Sequence, residues 1–208
     1  CKVILNDPNY NILSGNIVFD NINLLEKNVS SIAQSGVMLI NQNPLAIEGV
    51  SNAELLRTAL RQKTKKAVNI FEFNKALEEA CEKLELDKSF IHKEINVGAS
   101  GGEKKKVELM HMAILEPKFL ILDEIDSGLD VDALKVCAKF INEYHQKSKC
   151  SILIITHHPN IIDLIKPNYV HILSEGKITK TGDKTLAKLV EKEGFSKANV
   201  MDEDGIHE

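Results

Sequence analysis

Three short apolar runs stand out along the chain because they lack the alternation of a strand with one exposed face. They cover Val37–Ile40, Phe119–Leu122 and Ile152–Ile155. Strands that are apolar on both faces are typical of the centre of a parallel sheet that helices cover. Between the second and third runs, residues 131–144 place apolar side chains at helical spacing, which predicts a strand–helix–strand unit. The pattern therefore predicts an α/β fold with a mostly parallel central sheet.

Two further helical patterns fall between the first and second apolar runs. They cover residues 52–61 and 71–86. Because they interrupt the succession of core strands, they predict an inserted helical subdomain, to which we assign residues 44–91. The core would then comprise residues 1–43 and 92–195.

Shorter elements complete the predicted arrangement. Residues 169–180 predict a hairpin that turns at Gly176 and forms an antiparallel edge of the sheet. Residues 16–23 predict one short strand near the start of the chain. Residues 196–208 are polar and predict a frayed C-terminal tail.

Charge and hydropathy exclude two classes of partner. The chain has 208 residues, with 26 Lys and Arg against 30 Asp and Glu, and its formal net charge is −4. Free-standing nucleic-acid-binding domains are usually basic, so no nucleic-acid partner is expected. The apolar runs are far shorter than the roughly 18 residues that a membrane helix needs, so we expect no direct membrane insertion.

Cysteine usage indicates a reducing compartment. Cys1, Cys81, Cys137 and Cys150 are widely separated, and no pair has the CxxC spacing of a zinc or redox site. We interpret all four as reduced thiols. Frequent Lys, Asn and Ile indicate an AT-rich coding sequence.

An acidic pair directly follows the second apolar run. Asp123 and Glu124 come where that strand would end, and open α/β sheets bind ligands at the carboxyl ends of their strands. An Asp at this position can support magnesium, and an adjacent Glu can polarise an attacking water in phosphoryl transfer. A solvated acidic loop fits the same two residues, so the pair alone leaves both interpretations open.

Two other segments carry candidate chemistry. Ser100, Gly101 and Gly102 lead into a helical pattern, where free backbone N–H groups can face a phosphate. The alternative is a glycine-rich turn with Ser100 as the helix N-cap. His157 and His158 follow the third apolar run and lie at the same end of the predicted sheet as the acidic pair. A histidine there can contact a γ-phosphate, or it can simply be hydrogen-bonded to the backbone.

The order and spacing of these motifs resemble those of ABC-type ATPases. The Q-loop, signature, Walker B, D-loop and switch histidine of that family correspond in order to Gln42, Ser100–Glu103, Asp123–Glu124, Ser127–Asp130 and His157. More closely, the chain resembles the SufC family, the ATPases of the SUF iron–sulfur cluster assembly system. The stretches that carry this likeness are Asn96–Gly98, Ser100–Lys105, Ala113–Pro117, Leu122–Glu124, Asp126–Asp130, Asp132–Lys135, Lys166–Pro167 and Tyr169–His171. The likeness as a whole covers nearly the whole chain.

The resemblance implies a set of roles in ATP hydrolysis with Mg²⁺. Gln42 would contact magnesium and the attacking water, and Asp123 would support the magnesium ion. Glu124 would be the catalytic base, and His157 would sense the γ-phosphate.

The resemblance also implies a nucleotide-dependent homodimer. The signature residues Ser100, Gly101, Gly102 and Glu103 would bind the ATP held by a second subunit, and Asp130 would lie across that dimer interface. In the family, the ATPase subunits bind to the scaffold proteins SufB and SufD. We expect those contacts over residues 42–86.

The sequence departs from the family in one major respect. The phosphate-binding loop GxxxxGK[ST] does not occur in it. Residues 1–5 resemble the helix that follows this loop in SufC, so we expect the N-terminal Walker A segment to be missing and ATP to bind weakly to these residues alone. Ala99 replaces the usual signature Leu, and Glu103 replaces the Gln of many members, although Glu is usual in SufC.

These observations lead to one main hypothesis and two alternatives. The main hypothesis is an ABC-type ATPase subunit that couples ATP binding and hydrolysis to iron–sulfur cluster assembly on SufB and SufD. The alternatives are the ATPase subunit of a membrane transporter and a catalytically silent adaptor that keeps the fold without the phosphate loop. We expect the protein in a plastid of an AT-rich eukaryote or in bacterial cytoplasm.

Overall fold

The structure is a computed structural model that describes residues 1–158, 160–190 and 192. The chain separates between Thr156 and His157 into two compact units. The strands of the first unit are β1 (Val18–Phe19), β2 (Ile22–Asn23), β3 (Val37–Ile40), β4 (Ile47–Ser51), β5 (Glu94–Ile95), β6 (Phe119–Asp123) and β7 (Ser151–Ile155). Its α-helices are α1 (Val29–Ser35), α2 (Asn52–Thr64), α3 (Ile70–Lys83), α4 (Gly101–Leu115) and α5 (Val131–Ser148). Short 3-10 helices lie at Lys2–Leu5, Leu24–Glu26 and Lys88–Ile91.

The central sheet has the strand order β3-β6-β7, and both pairings are parallel. In register, Leu39 lies opposite Ile121, which in turn lies opposite Leu153. The middle strand buries Leu120, Ile121 and Leu122 completely. The predicted α/β class and its parallel central sheet are therefore confirmed.

The helices begin and end at residues whose side chains or backbone satisfy the exposed helix ends. Ser100 caps α4 in a capping box with Glu103, and the side chain of Asp130 caps α5 by accepting from the Ala133 amide. The strand–helix–strand unit predicted over residues 131–144 is confirmed, although α5 runs on to Ser148 and ends at Lys149 in the left-handed conformation. These caps fix the residue at which each helix begins.

Both helical patterns between β3 and β6 are confirmed as α2 and α3. The boundaries of the inserted subdomain at residues 44–91 remain a prediction. A buried polar link joins α2 to α4: His111 Nε2 lies 2.6 Å from Asn52 Oδ1, while Asn52 Nδ2 donates to the Phe90 carbonyl at 2.9 Å. Since the Asn52 oxygen can only accept, His111 carries its proton on Nε2.

The start of the chain differs from the prediction. Instead of one strand over residues 16–23, the two-residue strands β1 and β2 form a small antiparallel hairpin. Its turn residues Asp20 and Asn21 both have positive φ, at 47° and 61°. Two consecutive residues of this kind build the tight turn that suits a hairpin, and Asp and Asn tolerate the left-handed conformation well.

The second unit contains α6 (Asn160–Ile165), β8 (Val170–Ser174) and β9 (Lys177–Gly182), and residues 184–190 are helical. The strands β8 and β9 pair antiparallel around Glu175 and Gly176, which confirms the predicted hairpin. Ile172 packs with Leu186 and Val190 in a small core. The position of the hairpin at the sheet edge stays a prediction, and the predicted tail at residues 196–208 lies outside the described residues.

No helix in the described parts of the chain combines the length and the apolar character that crossing a membrane requires.

We predict that His111 makes the stability of the protein fall below about pH 6.5. Burial lowers the pKa of His111 to about 4, so the unfolded chain takes up a proton that the folded chain refuses. The free energy of unfolding should drop by about 2 kcal/mol between pH 7 and pH 5 because of this residue alone. Denaturant unfolding of the wild type and of His111→Gln at both pH values measures the difference.

The Gln variant keeps a donor for Asn52 and cannot titrate, so its pH dependence in this window should be correspondingly smaller. Identical pH dependence in the two proteins would show that His111 is not held neutral by the fold.

Candidate functional site

The carboxyl ends of β3 and β6 lie side by side because the two strands are parallel neighbours. Ile40 lies opposite Leu122, so the residues that follow each of them leave the sheet at the same edge. Gln42 Nε2 donates a hydrogen bond to Glu124 Oε2. Two residues that the sequence placed 82 positions apart, in separate motifs, are thus in direct contact.

Glu124 has an unusual backbone conformation. Its φ is +47°, in the left-handed region that residues with a side chain rarely adopt. The Glu124 amide donates to the Ile155 carbonyl at 2.8 Å, which fixes this turn against the end of β7. Strain of this kind is retained where neighbouring contacts hold it, and such positions cluster at functional sites. The turn directs the carboxylate away from the strand toward Gln42.

The buried side chain of Lys105 connects the ends of β3 and β6. Lys105 of α4 is 2% exposed, and its Nζ donates to the carbonyl oxygens of Asn41 and Glu124, each at 3.1 Å. Burial lowers the pKa of Lys105, while the carboxylates of Asp126 and Asp123 oppose that change. The ammonium group therefore lies among acidic side chains at the edge where the candidate residues meet.

Lys105 was not among the site residues predicted from the sequence. The signal was its spacing: Leu109 and Met112, four and seven residues further on, are both fully buried. A lysine on the buried face of a helix needs hydrogen-bond acceptors inside the protein, because an unpaired buried charge is costly.

Asp126 is a second buried charged residue at this edge that was not among the predicted site residues. It is 7% exposed, and its Oδ2 accepts from the Thr156 hydroxyl at 2.8 Å. Its Oδ1 is buried without a hydrogen-bond partner among the described residues. A carboxylate in that setting depends on nearby positive charge, which Lys105 supplies.

Asp123 is the last residue of β6 and is half-buried. Magnesium is usually held by one or two carboxylates together with substrate phosphates and water, so the Asp123 carboxylate and the free amide oxygen of Gln42 are a suitable donor set. No group of three or more His, Cys, Asp or Glu that could hold a metal ion occurs in the part of the chain that the structure describes. The metal roles of Asp123 and Gln42 remain predictions.

At both glycines of the signature segment, an added Cβ would make an ordinary van der Waals contact with the loop after Glu124. A Cβ at Gly102 would lie 3.5 Å from the Leu129 side chain, and one at Gly101 would lie 4.0 Å from the Gly128 carbonyl oxygen. The first turn of α4 therefore lies beside the segment that resembles a D-loop.

Ser100 and Glu103 cap each other at this helix end. The Ser100 amide donates to Glu103 Oε2 at 2.7 Å, and the Glu103 amide donates to the Ser100 hydroxyl at 3.3 Å. The hydrogen bonds from Ser100 lower the pKa of Glu103. The N-cap interpretation of Ser100 is confirmed, and the nucleotide-binding roles of Ser100, Gly101, Gly102 and Glu103 remain predictions.

Asp130 and His157 are the remaining predicted site residues. Asp130 is exposed and caps α5, and its role across a dimer interface remains a prediction. His157 is the first residue of the second unit, where its ring centroid lies 3.9 Å from that of His158. Its proposed contact with a γ-phosphate is likewise a prediction.

Comparison with known proteins finds one family along most of the chain. A sequence profile described as ABC transporter matches residues 2–127. A probable ATP-dependent transporter named ycf16 from Pyropia yezoensis is 43% identical over 198 residues, which cover 93% of this chain and 78% of the relative. A probable ABC transporter ATP-binding protein from Streptococcus pyogenes serotype M3 is 39% identical over 195 residues, which cover 93% of this chain and 76% of the relative.

Solved structures share the fold at low sequence identity. The dimeric ATP-binding cassette MJ0796, in a post-hydrolysis state bound to ADP and Pi, matches with a TM-score of 0.73 and 17% identity over 88% of this chain and 80% of that one. The protein cbiO1 of Clostridium perfringens, part of the ABC transporter complex cbiONQ, matches with a TM-score of 0.63 and 22% identity over 91% of this chain and 76% of that one. These similarities confirm the predicted architecture of an ABC-type ATPase.

We predict that Lys105→Met lowers the free energy of unfolding by about 2–4 kcal/mol. The change removes the charged donor from two carbonyl oxygens and leaves the nearby carboxylates uncompensated. Chemical denaturation measures the loss. Lys104→Met is the matched control, since no side-chain partner of Lys104 occurs among the described residues, and it should change stability by less than about 0.5 kcal/mol. Equal losses in both variants would contradict the structural role of Lys105.

Proposed function

The chain belongs to the ABC transporter family of ATP-binding proteins. We propose that it hydrolyses ATP, and that this drives iron–sulfur cluster assembly on SufB- and SufD-like scaffold proteins. The observation that carries the catalytic part is the contact between Gln42 and Glu124 at adjacent strand ends. A carboxylate and an amide side by side at this edge match the pair that orients and activates water in phosphoryl transfer.

The proposed reaction uses the residues of this edge in distinct roles. Glu124 accepts a proton from the attacking water, and Gln42 orients that water through its amide. Asp123 would hold magnesium, which supplies neutralisation of the phosphate charge. His157 contacts the γ-phosphate. The phosphate-binding loop GxxxxGK[ST] does not occur in the 208 residues, so the tests use the protein expressed from its complete gene.

The dimeric part of the proposal concerns the signature segment. Ser100, Gly101, Gly102 and Glu103 bind the ATP of a second subunit, and Asp130 lies across the interface. Ser100 and Gly101 are exposed at the start of α4, where backbone N–H groups and the helix dipole favour an anion. ATP then joins two heads, and hydrolysis separates them.

The proposed scaffold contacts centre on the segment after Gln42. Leu45 and Ile47 expose 77% and 44% of their surfaces. Further along the chain, Gly49, Val50 and Leu55 line a groove of about 320 Å³. Exposed large apolar side chains near one another indicate a binding surface. We propose that this surface docks on the scaffold and transmits the state of Gln42 to it.

A transporter ATPase is the second candidate function. It is favoured by the relative from Streptococcus pyogenes, which is called a probable ABC transporter ATP-binding protein. The SUF proposal rests on the stretches between the general motifs, such as Asn96–Gly98 and Lys166–Pro167, in which the chain resembles SufC. A catalytically silent adaptor is the third possibility, and it requires that the complete gene product bind no ATP.

The proposed compartment is a plastid or bacterial cytoplasm, and the four free cysteines, three of them buried, agree with a reducing environment.

We predict that Glu124→Gln lowers ATP turnover at least about a hundredfold while preserving ATP-dependent dimers. The amide keeps the hydrogen bond with Gln42 but cannot take the proton from water. Phosphate release and size-exclusion chromatography with MgATP measure the two effects. Glu82→Gln, on an exposed face of α3, is the control and should match the wild type. Unchanged turnover in Glu124→Gln would refute the assignment of the base.

We predict that Leu45→Asp together with Ile47→Asp abolishes co-purification of the scaffold proteins but leaves ATPase activity measurable. A charge in place of each apolar side chain cannot be buried in a dry interface without a large desolvation cost. The matched control is Leu173→Asp with Ile178→Asp, two apolar residues that are 68% and 62% exposed and pair across β8 and β9. Recovery of integral membrane proteins instead of scaffold proteins would favour the transporter ATPase.

A further inference from the structure

The loop that carries Gln42, residues 41–46, is held near both of its ends by groups that connect to α4. At one end, Lys105 Nζ donates to the Asn41 carbonyl at 3.1 Å. At the other, Asn96 Nδ2 donates to the Leu45 carbonyl at 3.0 Å, and the same nitrogen donates to Glu108 Oε1 at 3.1 Å. Lys105 and Glu108 are three residues apart on one helix and therefore project from the same face.

Both the backbone and the side chain of Asn96 are constrained. It follows β5, it is 1% exposed, and its φ is +58°. The side chain makes both of its donor contacts, yet its Oδ1 is buried and has no hydrogen-bond partner among the described residues. A buried amide oxygen left unpaired costs about 1–3 kcal/mol, so an acceptor in this position calls for a donor nearby.

We propose that Asn96 and Glu108 are positioning residues for Gln42, and that Glu108 is an un-ionised carboxylic acid whose O–H is donated to Asn96 Oδ1. The pair then exchanges two hydrogen bonds, one in each direction. Because the second Asn96 donor holds the Leu45 carbonyl, the pair anchors the loop three residues after Gln42. The catalytic part of this inference rests on the proposed function.

The surroundings of Glu108 favour the acid form. Burial raises the pKa of Glu108, against the opposing effects of the hydrogen bond from Asn96 and the positive charge of Lys105. The loop 41–46 contains no titratable side chain, so it supplies no further charge to stabilise a carboxylate. An ionised Glu108 can only accept hydrogen bonds, so it could not supply the donor that Asn96 Oδ1 lacks. The acid form satisfies both partners.

The consequence for catalysis is geometric. Gln42 contacts Glu124, and the loop between Asn41 and Leu45 is short enough that freeing Leu45 changes where the Gln42 amide points. Misplaced positioning groups reduce the rate of the chemical step more than substrate affinity. We therefore expect loss of this anchor to lower kcat about tenfold with KM for MgATP changed less than about twofold.

Three variants test the anchor. Asn96→Ala removes it, Glu108→Leu removes the partner of the Asn96 oxygen, and Glu108→Gln keeps one donor and one acceptor without a titratable proton. His111→Gln is the matched control, because His111 is another buried polar residue of α4 whose partner is Asn52 rather than the loop. Hydrogen–deuterium exchange of residues 41–46, steady-state ATPase kinetics and the NMR titration of the Glu108 carboxyl carbon are measured on the full-length protein.

The expected result is faster exchange in residues 41–46 and a lower kcat for Asn96→Ala and Glu108→Leu, with wild-type values for Glu108→Gln and His111→Gln. The Glu108 carbon should report a protonated carboxyl group at neutral pH. Wild-type exchange in Asn96→Ala, a Glu108 carboxylate that titrates as an exposed one does, or Glu108→Gln behaving as Glu108→Leu would overturn the inference. A wild type without ATPase activity would refute the proposed function, while exchange and the carboxyl titration would still decide on the anchor.

Discussion

The burial of the Lys105 ammonium group is the constraint on which the candidate site depends. A charge that is almost completely removed from water must be surrounded by acceptors, because its desolvation otherwise costs several kcal/mol. Lys105 finds them in the carbonyl oxygens of Asn41 and Glu124, which leave the sheet from β3 and β6. One side chain thus fixes the two strand ends relative to each other and to α4. The contact between Gln42 and Glu124 is possible because this geometry is already set.

The helix α4 organises the first unit through polar contacts as well as packing. Ser100 caps its start, Lys105 reaches the strand ends, and His111 reaches Asn52 at the beginning of α2. Each contact needs a particular donor or acceptor, whereas apolar neighbours such as Leu109 and Met112 need only the correct volume. Burial of its apolar side chains therefore stabilises the packing of α4. Its polar contacts determine how α4 is rotated about its own axis and how closely it packs on its neighbours. The candidate site residues that contact α4 are therefore held in one defined position.

The strands of the central sheet could be predicted because short apolar runs rich in Ile, Leu and Val are typical of buried parallel strands. The resemblance to ABC-type ATPases assigned Gln42 and Glu124 to one site, but their direct hydrogen bond was not predicted from the sequence. Lys105 and Asp126 could not be found in that way. Each is a charged residue whose burial depends on partners distant in sequence, carbonyl oxygens for Lys105 and the Thr156 hydroxyl for Asp126. The hairpin β1–β2 was missed because strands of two residues carry no periodic signal.

The chemistry of Gln42 explains why an amide suits this edge. Its Nε2 donates to Glu124, which leaves its Oε1 as an acceptor that can face a cation or orient a water molecule. A carboxylate at the same position would repel Glu124 and Asp123, and an ammonium group would compete with magnesium for the same oxygen atoms. Only a side chain with a donor and an acceptor at one end can serve the carboxylate and the cation at once. The two functions meet at Gln42 because β3 and β6 end side by side.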